Sequence, residues 1–411
     1  MKPTILIITS TASFSPARLA MAFAKADCRV EAVCLSGHPM AKTHAVNRIH
    51  HYNWLAPLGS IARAIASARP ALIIPADDLA ALHLHDLHRQ QERLGKANGP
   101  ICALIEESLG APMSFPIVFA RTVVLNLARE EGIRVPKTAV LTGRQDLEKW
   151  AAAVGFPAVL KANGTSGGDG VRIVQTLEEA ERAFKALEAP PLLARALKRA
   201  LLDQDLGMLW PALRRRQYVV NVQTFVPGRE ATSAVACWKG KVLASLHFEV
   251  LNKQDSGGPS TVLRLIENSE MSTAAEKLVR RLKLSGLHGF DFILEERTGD
   301  PYLIEINPRA TQVGHLALGA ERDLPTALYS ALSGRALQVS PKITENDTIA
   351  LFPQEWLRNP ASSFIKSGYH DVPWEEADFV LLCIRRRQKQ TSWYSQQKLS
   401  QSFSKIRRLG S

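Results

Sequence analysis

Cysteine and acid are both scarce in this sequence. Its 411 residues include five cysteines, Cys28, Cys34, Cys102, Cys237 and Cys383, an odd and scattered set with no C-x-x-C spacing. That pattern excludes a disulfide framework and a cysteine zinc site, so reduced thiols in a cytoplasmic protein are expected. No run of eighteen apolar residues occurs, and no membrane-spanning helix is expected. The apolar run Thr4–Ile8 is too short for a signal-peptide core, and Pro16 and Arg18 interrupt the stretch after it. A buried first strand accounts for it better. Neither an N-terminal Met-Gly nor a C-terminal Cys box signals lipidation. Internal repeats are missing. At 46% hydrophobic and 22% charged residues, collagen-like and wholly disordered classes are excluded too.

The shortage of acid leaves 51 Lys and Arg against 39 Asp and Glu, a net charge of +12 that calls for an anionic partner. Eight of those bases, and no acid, lie between Arg385 and Ser411, so residues 1–384 carry 43 against 39, or +4. In the tail, Leu399, Phe403 and Ile406 share one helical face among Lys398, Lys405, Arg407 and Arg408. Such a face suits an anionic membrane surface, although a frayed or docked tail is the plainer expectation.

Along the chain, Thr4–Ile8, Arg29–Leu35 and Ala71–Pro75 read as strands, with helices at 15–26 and 61–68. This alternation implies a small parallel α/β sheet. Asp77 and Asp78 stand at the carboxyl end of its last strand, where ligands gather, although a helix cap explains them equally well. A break is expected over Asn98–Pro116. Beyond it, Arg121–Glu131 is a helix stopped by Gly132. Strands Pro157–Ala162 and Val171–Gln175 flank a glycine-rich loop, Thr176 with Glu179 caps a helix, and 190–217 reads as a helical insertion. Strands come next at 218–225, 231–237 and 242–251, then a helix at 274–284 and a hairpin at 289–306. The histidines His83, His85 and His88 tempt a metal reading, but a solvated helix is favoured over one.

The hairpin carries the strongest chemistry. Gly289-Phe290-Asp291-Phe292 is followed by Tyr302-Leu303-Ile304-Glu305-Ile306-Asn307-Pro308-Arg309. Asp291 and Glu305 are equidistant from Thr298 in the turn, which sets them opposite each other, and Asn307 shares the face of Glu305. Unpaired carboxylates among Phe, Ile and Leu are costly. A hard cation such as Mg²⁺, with Mn²⁺ as a substitute, removes that cost and binds phosphates as well. Arg309 can hold an anion bidentately. Upstream, the loop containing Gly164, Gly167, Gly168 and Gly170 can wrap a phosphate, and Lys161 can neutralise one. It is not a Walker A loop, because no Gly-Lys-Ser/Thr comes after it. In Gln223-Thr224-Phe225-Val226-Pro227-Gly228-Arg229-Glu230 a strand breaks and resumes. Backbone groups there can meet a purine edge, Phe225 and Val226 can cover it, and Glu230 can hold a ribose. Lys253 is a further phosphate candidate, the loop Ser256–Thr261 can close over an acceptor, and His315 is a further site candidate.

In this order and spacing the three pieces resemble the ATP-grasp superfamily over about residues 116–335. The resemblance is to the nucleotide-binding domains of biotin carboxylase, carbamoyl phosphate synthetase and D-alanine–D-alanine ligase. It implies an α/β and α+β chain: a small parallel domain over 1–115, an ATP-grasp domain over 116–340 that divides at 222/223, and an extension over 341–411. It implies Mg-ATP held by Asp291, Glu305 and Asn307, with phosphates met by Arg121, Lys161 and the glycine loop. The adenosine would lie on Gln223, Phe225, Val226 and Glu230, and Arg309 would stabilise the reacting centre. Gln223 departs from the family's usual hinge acid.

The expected activity is an ATP-dependent carboxylate–amine ligase that forms an acyl phosphate and releases ADP and phosphate. The alternatives are bicarbonate activation, and a non-catalytic protein that binds nucleotide or a membrane surface. Small carboxylate and amine substrates and a homodimer are the expected partners, and nucleic acid is not needed.

Overall fold

A computed structural model of the chain describes residues 2–163, 170–189, 218–255, 257–336 and 341–388. The glycine loop with Gly167 and Gly168, the proposed insertion at 190–217, Ser256 and the tail beyond 388 lie outside the described residues.

The N-terminal sheet is parallel, with strands β1 (Thr4–Ile8), β2 (Arg29–Cys34), β3 (Arg48–His51) and β4 (Leu72–Pro75) in the order β3-β2-β1-β4. The strand β3 is one the sequence pattern hides, because its Arg-Ile-His-His is polar and lies on an exposed sheet edge. Ile5, Leu6, Ile7 and Ile8 are all fully buried, as expected of a parallel strand covered on both faces. Leu6 and Ile8 pack with Ile61, Leu84 and Ile105 of the domain's own helices. Ile5 and Ile7 join a different core with Leu19 and Phe23, and with Leu246, Phe248 and Leu263 of the largest sheet. Side chains alternate along a strand, so one face of the parallel sheet seals its helices and the other welds it to the rest of the molecule. Burying each of these side chains contributes about 2 kcal/mol.

The expected break at 98–116 is instead helical over Pro100–Leu109, with short turns after it. Pro100, Pro112 and Pro116 all stand in first turns, where the missing N–H costs nothing. The histidines on the helix Asp78–Arg93 also correct an expectation, because His85 and His88 are buried rather than solvated. His85 stacks on Phe115 with ring centres 4.2 Å apart, and His88 Nε2 pairs with Glu106 at 2.8 Å. Among the described residues no cluster of three His, Cys, Asp or Glu could hold a metal, and no helix is long and apolar enough to cross a membrane.

A four-stranded antiparallel sheet follows, built from β5 (Thr138–Leu141), β6 (Ala158–Ala162), β7 (Val171–Val174) and β8 (Val220–Thr224) in the order β5-β8-β6-β7. Thr176 caps the helix Leu177–Glu188 through the Glu179 N–H, as its sequence predicts. The largest sheet contains β9 (Gly228–Trp238), β10 (Lys241–Lys253), β11 (Ser260–Leu265), β12 (Gly286–Glu295), β13 (Pro301–Asn307), β14 (Thr348–Ala350) and β15 (Tyr369–His370), ordered β13-β12-β9-β10-β11-β14-β15. The segment after residue 341 therefore completes this sheet. Its Phe379 and Cys383 enter the core shared with β1.

A buried ionic knot ties these parts together. Asp371 is 1% exposed; its Oδ2 meets Arg18 Nη2 at 3.1 Å and His315 Nε2 at 2.7 Å, and its Oδ1 accepts from the Phe352 N–H at 2.5 Å. Removing one partner of a buried pair leaves the other charge stranded. Asp371→Ala is expected to cost about 3–5 kcal/mol in chemical denaturation. A loss below about 1 kcal/mol would show that the knot is not structural.

Candidate active site

The acids of the hairpin stand where their symmetry about Thr298 puts them. Asp291 pairs directly with Glu305, and Gly289 with Asn307; the register then slips by one residue beyond Asp291. On the other side Asp291 pairs with Thr232 of β9, whose Oγ1 donates to Asp291 Oδ1 at 2.8 Å. Asn307 Nδ2 donates to Asp291 Oδ2 at 2.8 Å. Burial, followed by the nearby Glu305 charge, raises the Asp291 carboxyl above its ordinary range. Gly289 is required because a Cβ there would stand 2.4 Å from Thr311 Cγ2, in the loop that follows Arg309.

A chain of hydrogen bonds leads from these acids into the smaller antiparallel sheet. Arg121 opens a helix, and its Nη2 meets Glu305 Oε1 at 2.8 Å while its Nη1 meets Asn163 Oδ1 at 3.3 Å. Asn163 Oδ1 also accepts from Asn221 Nδ2 at 2.8 Å, and Asn221 Oδ1 accepts from Thr122 Oγ1 at 2.6 Å. Asn221 pairs with Lys161, and Val159 with Gln223. Lys161, Asn221 and Gln223 therefore share one polar face of the β6–β8 pair. Asn163, Asn221, Thr122 and Thr232 escape sequence reasoning, although the alternation Val220-Asn221-Val222-Gln223-Thr224 marks a polar strand face. Asn221 and Gln223 are 0% and 1% exposed. Gln223 Nε2 is buried without a hydrogen-bond partner among the described residues, and buried donors are normally satisfied, so an acceptor from a bound group would fit this face.

Between the two sheets the chain turns at Phe225, Val226 and Pro227. The Phe225 N–H donates to Pro157 O at 3.3 Å, and both Phe225 and Val226 are half-buried. Gly228 then passes so close to β12 that a Cβ would lie 2.0 Å from Leu294 O, which explains the Pro-Gly break. Glu230 lies on the same face of β9 as Thr232 and accepts from Lys253 Nζ at 2.7 Å. Arg309 Nε donates to Asp78 Oδ1 at 3.0 Å, and its Nη2 to Asn307 Oδ1 at 3.3 Å. His315 lies apart from this constellation, committed to Asp371. Of the two acids after β4, Asp77 is the helix cap and Asp78 pairs with Arg309.

The donor set fits a divalent cation. Two carboxylates oppose each other, an amide lies beside them, and the Asp291 carboxyl, raised by burial and then by the Glu305 charge, carries a cost that a cation relieves. Lys161 is 7% exposed and has no ion-pair partner among the described residues. Burial, and then Arg121, lower its pKa to about 8 from an ordinary 10.5. Below about pH 8 the ammonium is charged in both folded and unfolded states, and the folded state bears the whole penalty. Between about 8 and 10.5 the folded lysine is neutral while the unfolded one stays charged, so the penalty fades as pH rises. Lys161→Met is accordingly expected to stabilise the ligand-free protein at pH 7 by up to about 3 kcal/mol, with the gain shrinking towards pH 10. Urea denaturation at the two pH values checks this, and a destabilised variant at pH 7 would contradict it.

Known proteins share parts of this chain. A family model described as "ATP-grasp domain" matches residues 209–313, and one described as "Carbamoyl-phosphate synthase L chain, ATP binding domain" matches residues 121–205. The carbamoyl phosphate synthase large chain, N-terminal section, of Aquifex aeolicus (strain VF5) is 27% identical over 192 residues, 45% of this chain and 31% of that protein. The chain spans about a third or less of the length of the curated relatives it matches. Among solved structures, N5-carboxyaminoimidazole ribonucleotide synthetase from Thermus thermophilus superposes with a TM-score of 0.58 at 17% identity, covering 82% of this chain and 80% of that one. A biotin carboxylase–beta-gamma-ATP complex from Campylobacter jejuni gives 0.57 at 14% identity, covering 82% and 72%. At such identities the likeness is one of fold.

Proposed function

Because this chain belongs to the ATP-grasp superfamily, we propose that it is an ATP-dependent ligase that activates a small carboxylate and couples it to an amine. The observation that carries this reading is the Asp291–Glu305 pair, two carboxylates directly opposite on one sheet face, with Lys161, Arg121 and Arg309 gathered around them. A divalent cation held by Asp291, Glu305 and Asn307 would neutralise phosphate oxygens there.

The chain's own residues account for the rest. Lys161 meets the phosphates at the end of the polar face that Gln223 and Asn221 continue. The orphaned Gln223 Nε2 finds an acceptor on the base, and its Oε1 can accept from the adenine amino group, the bidentate pattern that amides make with adenine. This replaces an acid's two acceptors with one donor and one acceptor. A carboxylate oxygen attacks the γ-phosphorus, the bond from that phosphorus to the β–γ bridging oxygen breaks, and ADP leaves. The amine nitrogen then attacks the acyl carbon while Arg309 faces the developing oxyanion. Phosphate departs, the nitrogen loses one proton, and an amide remains.

Bicarbonate as the activated acid is a second reading. It is favoured by the similarity to a carbamoyl phosphate synthase. One assay tests both readings: ADP release in the presence of panels of carboxylates and amines, and of bicarbonate alone. Dependence on an organic acid and an amine supports the first, and bicarbonate-stimulated release without them supports the second. Glu305→Gln is expected to lower ADP release at least 100-fold with little change in the unfolding midpoint. Undiminished release would contradict the site.

A further inference from the structure

Arg309 is held from two sides, and one of them is the N-terminal sheet. Its guanidinium has five N–H donors. One goes to Asp78 Oδ1 at 3.0 Å, one to Asn307 Oδ1 at 3.3 Å and one to Ala310 O at 3.3 Å. Among the described residues two donors remain, on Nη1 and Nη2, enough to grip one carboxylate. Asp78 is the first residue of the helix Asp78–Arg93, where a negative charge is favoured. Its neighbour Asp77 makes the anchorage rigid, accepting from Thr9 Oγ1, the Ser10 N–H, Ser10 Oγ and the Ala80 N–H at 2.6–2.8 Å. The loop after Arg309 is fixed as well, since the Ala310 N–H donates to Pro75 O at 2.9 Å. These contacts all fall at the carboxyl ends of β1 and β4, beside which the strand order reverses, the place where such sheets present a ligand crevice. Asp78 and Arg309 side chains are 39% and 24% exposed, so a small molecule can reach them.

We infer that Asp78 is a positioning residue. It aims the two spare N–H groups of Arg309 at the anionic substrate, so the N-terminal sheet sets the geometry of the reacting centre on the large sheet. This rests on the reading of Arg309 as the group that faces the reacting carboxylate. With Asp78 removed, the guanidinium keeps its charge and loses its orientation. Transition-state stabilisation should suffer while nucleotide binding does not.

The test is a double-mutant cycle in the full-length protein. Asp78→Ala is expected to lower kcat for ADP release at least 10-fold while the KM for ATP stays within 2-fold, and Asp78→Glu should restore part of the loss. In an Arg309→Lys background, Asp78→Ala should have no further effect. A kcat within 2-fold of wild type, or losses that multiply in the double variant, would overturn the inference. If the wild-type protein releases no ADP, the ligase reading fails on its own. The same cycle is then read from thermal midpoints of the ligand-free protein with Asp78→Ala and Arg309→Gln. Shifts in the double variant no larger than the greater single shift support the hold of Asp78 on Arg309, and additive shifts overturn it.

Discussion

Two like charges share one rung of a β-ladder. Asp291 and Glu305 face each other between β12 and β13, while Phe290, Phe292, Leu303 and Ile306 are buried on the opposite face of the same strands. A pair so placed is unfavourable unless cations and donors converge on it. Much of the surrounding structure answers that need. Arg121 comes from a preceding helix, Thr232 from the adjacent strand, Asn307 from the same hairpin and Arg309 from the loop beyond it. The compensation is partial, since the Asp291 carboxyl remains above its ordinary range and Lys161 is left without a charged partner among the described residues. An incompletely balanced, partly buried polar cluster is a usual mark of a site that awaits its ligand.

The same cluster explains why three sheets belong to one working unit. Asn163 and Asn221 carry the hydrogen-bond chain from the hairpin into the smaller antiparallel sheet, and Asp78 carries it into the parallel one. Apolar packing makes the second of these junctions permanent, because Ile5 and Ile7 share a core with Phe248 and Leu263. The segment after residue 341 adds β14 and β15 and closes the ionic knot at Asp371. The parallel sheet and the final segment are therefore bound to the large sheet by core, while the smaller sheet reaches the acids through polar contacts around Arg121.

Much of the site is legible in the sequence because local periodicity encodes it. The equal spacing of Asp291 and Glu305 from Thr298 matches their pairing, which in the structure also needs the one-residue slip beyond Asp291, and a two-residue step puts Asn307 beside them. The capping pair Thr176 and Glu179, and the strand β1, are legible for the same reason. The features that stay hidden depend on contacts distant in sequence. Nothing near Asp78 signals a partner 231 residues away, and the cap reading belongs to Asp77 alone. His85 and His88 read as solvated because no recognisable ligand set accompanies them in the sequence, yet tertiary packing against Phe115 buries them. Strands β14 and β15 hold only three and two residues, too few for any alternation to show. His315 reads as a site residue by its nearness to Arg309, but its partner Asp371 is set by the fold.

On the function proposed above, the Asp291–Glu305 face binds a nucleotide through a divalent cation. Calorimetric titration of the full-length protein with a non-hydrolysable ATP analogue, with and without Mg²⁺, tests it most directly. Mg²⁺ is expected to tighten binding by about 100-fold or more, roughly 2.7 kcal/mol, and Asp291→Asn to abolish this gain while leaving the metal-free affinity in place. Equal affinity with and without Mg²⁺ in the wild-type protein would contradict it.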